Sequence, residues 1–124
     1  MAEYNKVVLL GRLTRDPEIR YTGAGLAVCE FSLATHHHYK VNEEIKEDIC
    51  YVDIVVFGKS GESSKEYLKK GARVLIDGRL VQRRWETAEG KKRSKHEVVA
   101  NSIQFIDAGS GFEPGKGSAE GLSL

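Results

Sequence analysis

Residues 79–85 read RLVQRRW, a run with the composition of a β-strand that nevertheless carries three arginines and the only tryptophan of the chain. Side chains alternate along extended backbone, so Arg79, Val81, Arg83 and Trp85 share one face. Val74, Ile76 and Leu80 fall on the opposite, core-type face. A second run, 49–57, alternates in the same way: Cys50, Val52, Ile54 and Val56 against Tyr51, Asp53, Val55 and Phe57. Two strands therefore present aromatics on their non-core faces, with Arg79, Arg83 and Lys59 close by in sequence. Flat exposed rings next to cations suit one chemistry in particular. Unpaired bases stack on the rings, each stack being worth about 1–3 kcal/mol by alanine substitution, and the cations neutralise the phosphates between them. A duplex hides its base faces, so the ligand that fits is single-stranded. Tyr, Trp and Arg are also favoured in protein–protein interfaces, which is the competing reading. Repeated like charge on one face is costly in a desolvated interface and counts against it.

Other chemistry finds less support. His36, His37 and His38 are consecutive, so on a strand only His36 and His38 converge, and no Cys or carboxylate lies suitably near in sequence. A polar loop entering a basic groove fits this run better than a zinc site, and no metal is expected. There is no nucleophile elbow, phosphate loop or paired-carboxylate motif, and Asp53 is a lone carboxylate on the aromatic face. The expectation is a non-enzyme without a cofactor. Cys29 and Cys50 sit in apolar strand contexts without metal-type spacing and read as small hydrophobes of a reducing compartment, the cytoplasm. Near its start the chain reads YNKVVLLGRL (4–13), an apolar run too short to span a bilayer, and no membrane partner is expected.

The formal net charge of +1 conceals an asymmetry. Residues 69–95 hold ten Lys/Arg against three Asp/Glu, whereas 40–53 is net acidic. A polyanion responds to the local field, so the clustering matters more than the total. A merely solvated basic hairpin would show the same count.

These residues need a scaffold, and 124 residues supply one domain. Strands are expected at 7–13, with Gly11 marking a bulge or tight bend, and then at 26–35, 49–57, 73–85 and 95–106. RDPE at 15–18 and TAEGKKRS at 87–94 read as turns, and VNEEIKED at 41–48 as an exposed loop or hairpin end. KSGESSKEYLKKG, 59–71, reads as a short helix with Ser or Gly at its start, lysines at its end and Gly71 as terminator. The order β-β-β-α-β-β predicts an all-β protein, a five-stranded OB-fold barrel with one short helix between strands three and four. The expected domain covers 1–107, and 108–124 reads as a flexible Gly/Ser-rich tail.

At this level of detail the chain resembles the bacterial single-stranded DNA-binding protein family. The matching blocks are NKVVLLGRLTRDPEIRY (5–21), FSLAT (31–35), DIVVFGK (53–59), EYLKKGARVLIDGRL (66–80) and RRWET…EG (83–90), in order and covering nearly all of 4–106. The resemblance implies an OB-fold, usually assembled as a homotetramer, that coats unwound DNA in replication, repair and recombination, without catalysis or cofactor. Its base-stacking aromatics fall on Tyr39, Tyr51, Phe57 and Trp85, and its basic contacts on Lys6, Lys59, Lys70, Arg83 and Arg84, with Arg79 added by the face analysis. Family members often carry Trp where this chain has Tyr39 and Tyr51, and a basic residue where it has Asp53. Tyr39 shares strand parity with Phe31 and Leu33, so it reaches the aromatic face only if the strand bulges or turns near His36–His38. The family's acidic C-terminal tip has no counterpart in GSAEGLSL, and docking of partner enzymes by that route is not expected.

Two rivals stay open on sequence. A related primosomal-type replication-restart factor shares the fold but is dimeric, so mass separates it from a tetrameric coating protein. An OB-type protein-interaction module would bind no oligothymidine.

Overall fold

The computed structural model describes residues 3–107, and the expected tail lies outside the described residues. Alternating apolar residues build β1 (Val7–Leu13), β2 (Glu18–Tyr21), β3 (Ala27–Val41), β4 (Glu44–Phe57), β5 (Arg73–Glu86) and β6 (Lys92–Asp107). One helix, α1 (Gly58–Tyr67), stands between β4 and β5. Neighbouring strands follow the order β1-β5-β6-β4-β3-β2, and a further pairing of β1 with β3 closes β1, β5, β6, β4 and β3 into a barrel. The expected five-stranded OB-fold barrel with one short helix is therefore present. The sixth strand, β2, is an edge addition paired only with β3, at EIRY directly after the expected RDPE turn, where no strand was expected.

The inward faces form the core. Phe31 and Leu33 of β3, Ile54 and Val56 of β4, Val74 and Ile76 of β5 and Val98 of β6 are all but inaccessible to solvent. Leu13, Cys29, Leu68 and Ala72 complete the cluster. Burial of that much aliphatic surface, at about 25 cal/mol per Å², is the main force closing the barrel. Gly11 marks a close approach rather than a bulge: its pairing with β5 is regular, and a Cβ there would collide with the Ala34 carbonyl where β1 turns onto β3. Gly78 meets the Val99 carbonyl in the same way, beside a register shift between β5 and β6.

Two long hairpins project beyond the core. β3 and β4 stay in unbroken register from Val28↔Phe57 to Val41↔Glu44, joined by Asn42 and Glu43 with φ of 50° and 69°. Two consecutive positive φ values are the mark of a tight hairpin turn whose twist suits its strands. The acidic stretch is thus a hairpin end, and His36–His38 belong to a strand rather than a loop. β5 and β6 pair as far as Glu86↔Lys92, so 92–94 are strand where a turn was expected. Outside the barrel neither face of a hairpin is covered. Leu80 is accordingly 44% exposed, and Cys50 is also exposed, against the expectation of core positions.

The helix also departs from expectation. It begins at Gly58 with no side-chain cap and ends at Tyr67, leaving Lys69 and Lys70 beyond it. Leu68 drops into the core at the helix end, and Gly71, with φ of 88°, turns the chain toward β5.

Candidate nucleic-acid interface

Residues directly opposite each other on neighbouring strands share a face, so the registers fix what lies together. On the outer side of β5, Arg79, Val81, Arg83 and Trp85 lie opposite Val99, Glu97, Lys95 and Arg93 of β6. β6 runs parallel to β4 with Val99 beside Val55, so that outer face continues through Tyr51, Asp53, Val55 and Phe57. β3 extends it with Val28, paired to Phe57, and Glu30, paired to Val55. The sheet β5-β6-β4-β3 thus brings Tyr51, Phe57, Trp85, Arg79 and Arg83 onto one surface.

Each aromatic on that surface is accessible: Tyr51 is 66% exposed, Trp85 44% and Phe57 42%. Between them lies a small apolar floor, Val28, Val55 and Val99 with Val81 packed against it. A hollow of ≈ 340 Å³ opens over this floor, with Phe57, Arg83 and Glu97 among its walls. The Arg83 guanidinium carbon sits 5.4 Å from the Trp85 ring centroid, within cation–π range.

Three of the cations here are held by carboxylates, while Arg79 reaches the Asn101 amide oxygen at 3.5 Å. Arg83 Nε lies 3.3 Å from Glu97 Oε1, Lys95 Nζ 2.8 Å from Asp53 Oδ2, and Arg20 of β2 2.7 Å from Glu30. Just before β1, Lys6 Nζ lies 3.0 Å from Asp77, and this hydrogen bond raises the lysine pKa above its ordinary value. Asn5 secures the same corner by both accepting from the Leu80 N–H and donating to the Leu80 carbonyl. Asp53, which by sequence alone adds a bare negative charge, is therefore offset by Lys95.

The remaining sequence candidates are dispersed. Lys59 is exposed in the first turn of α1, two residues after Phe57. Lys70 lies after the helix, where its backbone N–H donates to Asp16 of the β1–β2 loop. Arg84 has the opposite parity to Arg83 and donates to Gln82, its neighbour on the other face of β5. Tyr39 lies opposite Lys46 in a register without a bulge, on the side of the hairpin away from Tyr51, and its ring stacks on His37 at 6.2 Å. His36 and His38 lie on the Tyr51 side and converge on Glu47. His36 Nδ1 is 2.9 Å and His38 Nε2 3.1 Å from the same carboxylate oxygen, and the hydrogen bond from His36 is the leading cause that lowers Glu47 below its ordinary value.

Sequence reasoning missed the contribution of β6. Arg93, Lys95, Glu97 and Val99 recur at every second residue in register with the β5 face, and that alternation was the available signal. It also missed the floor, because Val28 and Val99 read as ordinary strand residues until the registers bring them together.

Comparison with known proteins places these observations in a wider set. Residues 4–106 match the model of the Single-strand binding protein family. The chain is 43% identical over 119 residues to the single-stranded DNA-binding protein of Wolinella succinogenes, an alignment covering 95% of this chain and 69% of that one. It is 46% identical over 106 residues to the protein of the same name from Treponema pallidum, covering 86% of this chain and 60% of that one. The chain thus spans about two thirds of the length of these relatives. Among solved structures, a Plasmodium falciparum SSB in complex with ssDNA superposes with a TM-score of 0.77 at 30% identity, covering 86% of this chain and 98% of that one. A deletion mutant of the Thermus aquaticus single-stranded DNA binding protein gives 0.75 at 31% identity, covering 92% and 52%.

Proposed function

The chain belongs to the single-strand binding protein family, and from that premise we propose that it binds single-stranded DNA with little regard to sequence, coating unwound strands during replication, repair and recombination. The observation that carries this reading is the surface where Tyr51, Phe57 and Trp85 stand exposed beside Arg79, Arg83 and Lys95. Aromatic platforms take any base, since every base has a π-face, and the cations track the backbone between them. Lys59 extends the cationic margin next to Phe57. Tyr39, Lys6, Lys70 and Arg84 join the path if the strand wraps around the hairpins and the barrel. The reading asks no reaction of the chain and no cofactor.

We further propose assembly as a homo-oligomer, a tetramer. β1 pairs with β5 along 7–12 but meets β3 only at Arg12 and Leu13, so the other edge of its first half has no strand beside it among the described residues. A free edge of this kind is suited to pairing with a second copy. No described helix is long and apolar enough to cross a membrane, and the reading implies a cytoplasmic, nucleoid-associated protein.

Titration of Trp85 fluorescence with single- and double-stranded oligonucleotides tests the reading. Strong quenching by the single strand and little by the duplex is expected. Equal responses to both, or none, would remove it. Solution mass then distinguishes the tetramer from a dimeric restart factor.

A further inference from the structure

Glu97 is out of place on a surface that meets a polyanion. Its side chain is only 7% accessible, and it stands on the outer face of β6, where phosphates would be repelled. Burying a carboxylate is costly unless both oxygens find donors. Oε1 has Arg83 Nε at 3.3 Å, whereas Oε2 has no hydrogen bond or ion pair among the described residues. The side chain helps to wall the ≈ 340 Å³ hollow whose floor is valine and whose rim carries Phe57. An apolar bed, an aromatic edge and one unpartnered buried acceptor are the components of a pocket for a flat ring that brings its own donor.

We propose that this hollow is a base-selective subsite, in which Glu97 accepts a hydrogen bond from the exocyclic amino group of a nucleobase, cytosine above all. The inference rests on the single-strand reading given above. Carboxylates accept from cytosine N4, whereas uracil and thymine place a carbonyl oxygen at that position, which would face the carboxylate lone pairs. The Arg83 guanidinium beside Glu97 supplies a donor next to the acceptor. That order complements the amino group and ring nitrogen of cytosine, whereas uracil meets it only through N3–H and O2, displaced one position along its edge. The exposed aromatics stack on any base, so one selective position is superimposed on a tolerant path. Leaving a buried acceptor unpaired is what makes the wrong base costly.

The test measures affinities of oligo-dC and oligo-dU of equal length, at one salt concentration and neutral pH, for the wild type and Glu97→Gln. The quantity read is the dU-to-dC ratio of dissociation constants, and its change between the two proteins removes intrinsic differences between the polymers. Glu97→Gln should lower that ratio by about tenfold, as loss of one charge-assisted hydrogen bond implies. An unchanged ratio overturns the subsite while leaving single-strand binding intact. A second measurement keeps the wild type and exchanges cytosine for 2-pyrimidinone, which lacks the amino group, so it holds even if the variant fails to fold. Weakening by a similar factor supports the subsite and undiminished binding overturns it. A wild type that binds none of these oligonucleotides overturns the single-strand reading and the subsite with it.

Discussion

Arg83 lies over the indole of Trp85, its guanidinium carbon 5.4 Å from the ring centroid, while its Nε faces the Glu97 carboxylate at 3.3 Å. The three side chains form a relay in which a buried anion fixes a cation and the cation covers one part of an exposed ring. Trp85 is thereby held ready for a base without being part of the core. A ring already oriented loses less rotamer entropy when it stacks.

Trp85→Ala should therefore weaken binding of single-stranded oligonucleotides by about 1–3 kcal/mol and leave the melting temperature nearly unchanged. At 44% exposure the indole contributes little to the barrel interior. Fluorescence anisotropy with a labelled oligonucleotide, alongside a thermal melt, checks both halves. A variant that unfolds at room temperature would show the ring to be structural.

The two cysteines should separate by reactivity. Cys29 is fully enclosed between β3 and its neighbours, and burial pushes its thiol up to about 11, so little thiolate forms at mildly alkaline pH. Cys50 is exposed on the hairpin. A chromogenic disulfide reagent should titrate one thiol per native chain and both in denaturant. Rapid reaction of both in the native protein would contradict the enclosure of Cys29.

What the sequence revealed and what it hid have one physical origin. Alternation is visible where one face is buried, and this made 49–57 and the Trp85 face readable together with the barrel they belong to. Beyond the barrel neither face is buried, so 36–48 and 87–94 carry no apolar period and read as loops or turns, though 36–41, 44–48 and 92–94 are strand. Leu80 and Cys50 failed for the same reason: parity was right, but the strand had already left the core. Tyr39 shows the complementary case. Its parity opposed Tyr51 from the start, and the unbroken β3–β4 register keeps it on the far face of the hairpin. The pairings of β6 lie across long sequence separations, and only the register places Lys95 beside Asp53 and Glu97 beside Arg83.

Glu47 offers a pH probe on the hairpin. Its carboxyl is held down first by the hydrogen bond from His36, with His38 contributing as well. A carboxyl lowered in the folded state adds stability above its unfolded value, and this is lost as pH falls through the lowered one. The group is exposed, so the titration itself is a better readout than the melt. Carboxyl-carbon NMR should show the Glu47 midpoint rising toward the ordinary carboxylate range in His36→Ala. A midpoint indifferent to that substitution would mean that the His36–Glu47 hydrogen bond does not persist in solution.

The last prediction concerns the carboxylates that shield the outer face. Lys95 holds Asp53 at 2.8 Å, Arg20 holds Glu30 at 2.7 Å and Arg83 holds Glu97 at 3.3 Å, so an incoming phosphate competes with a resident anion at each cation. The Asp53–Lys95 pair is the simplest to release, because both side chains are partly exposed, at 41% and 35%, and such pairs add only about 0–1 kcal/mol to stability. Asp53→Asn keeps the shape and an acceptor for Lys95 but removes the charge that repels phosphate. The lysine then becomes available as a phosphate contact, and each such contact on a single strand adds about 0.7 to the slope of log affinity against log salt. Asp53→Asn should consequently bind oligothymidine more tightly at low salt, with a steeper slope, and should converge on the wild type as salt rises and screening removes the difference. Titrations of both proteins over a series of salt concentrations measure slope and intercept together. An unaltered slope, or weaker binding at low salt, would mean that the strand does not pass over the β4–β6 seam where Asp53 and Lys95 meet.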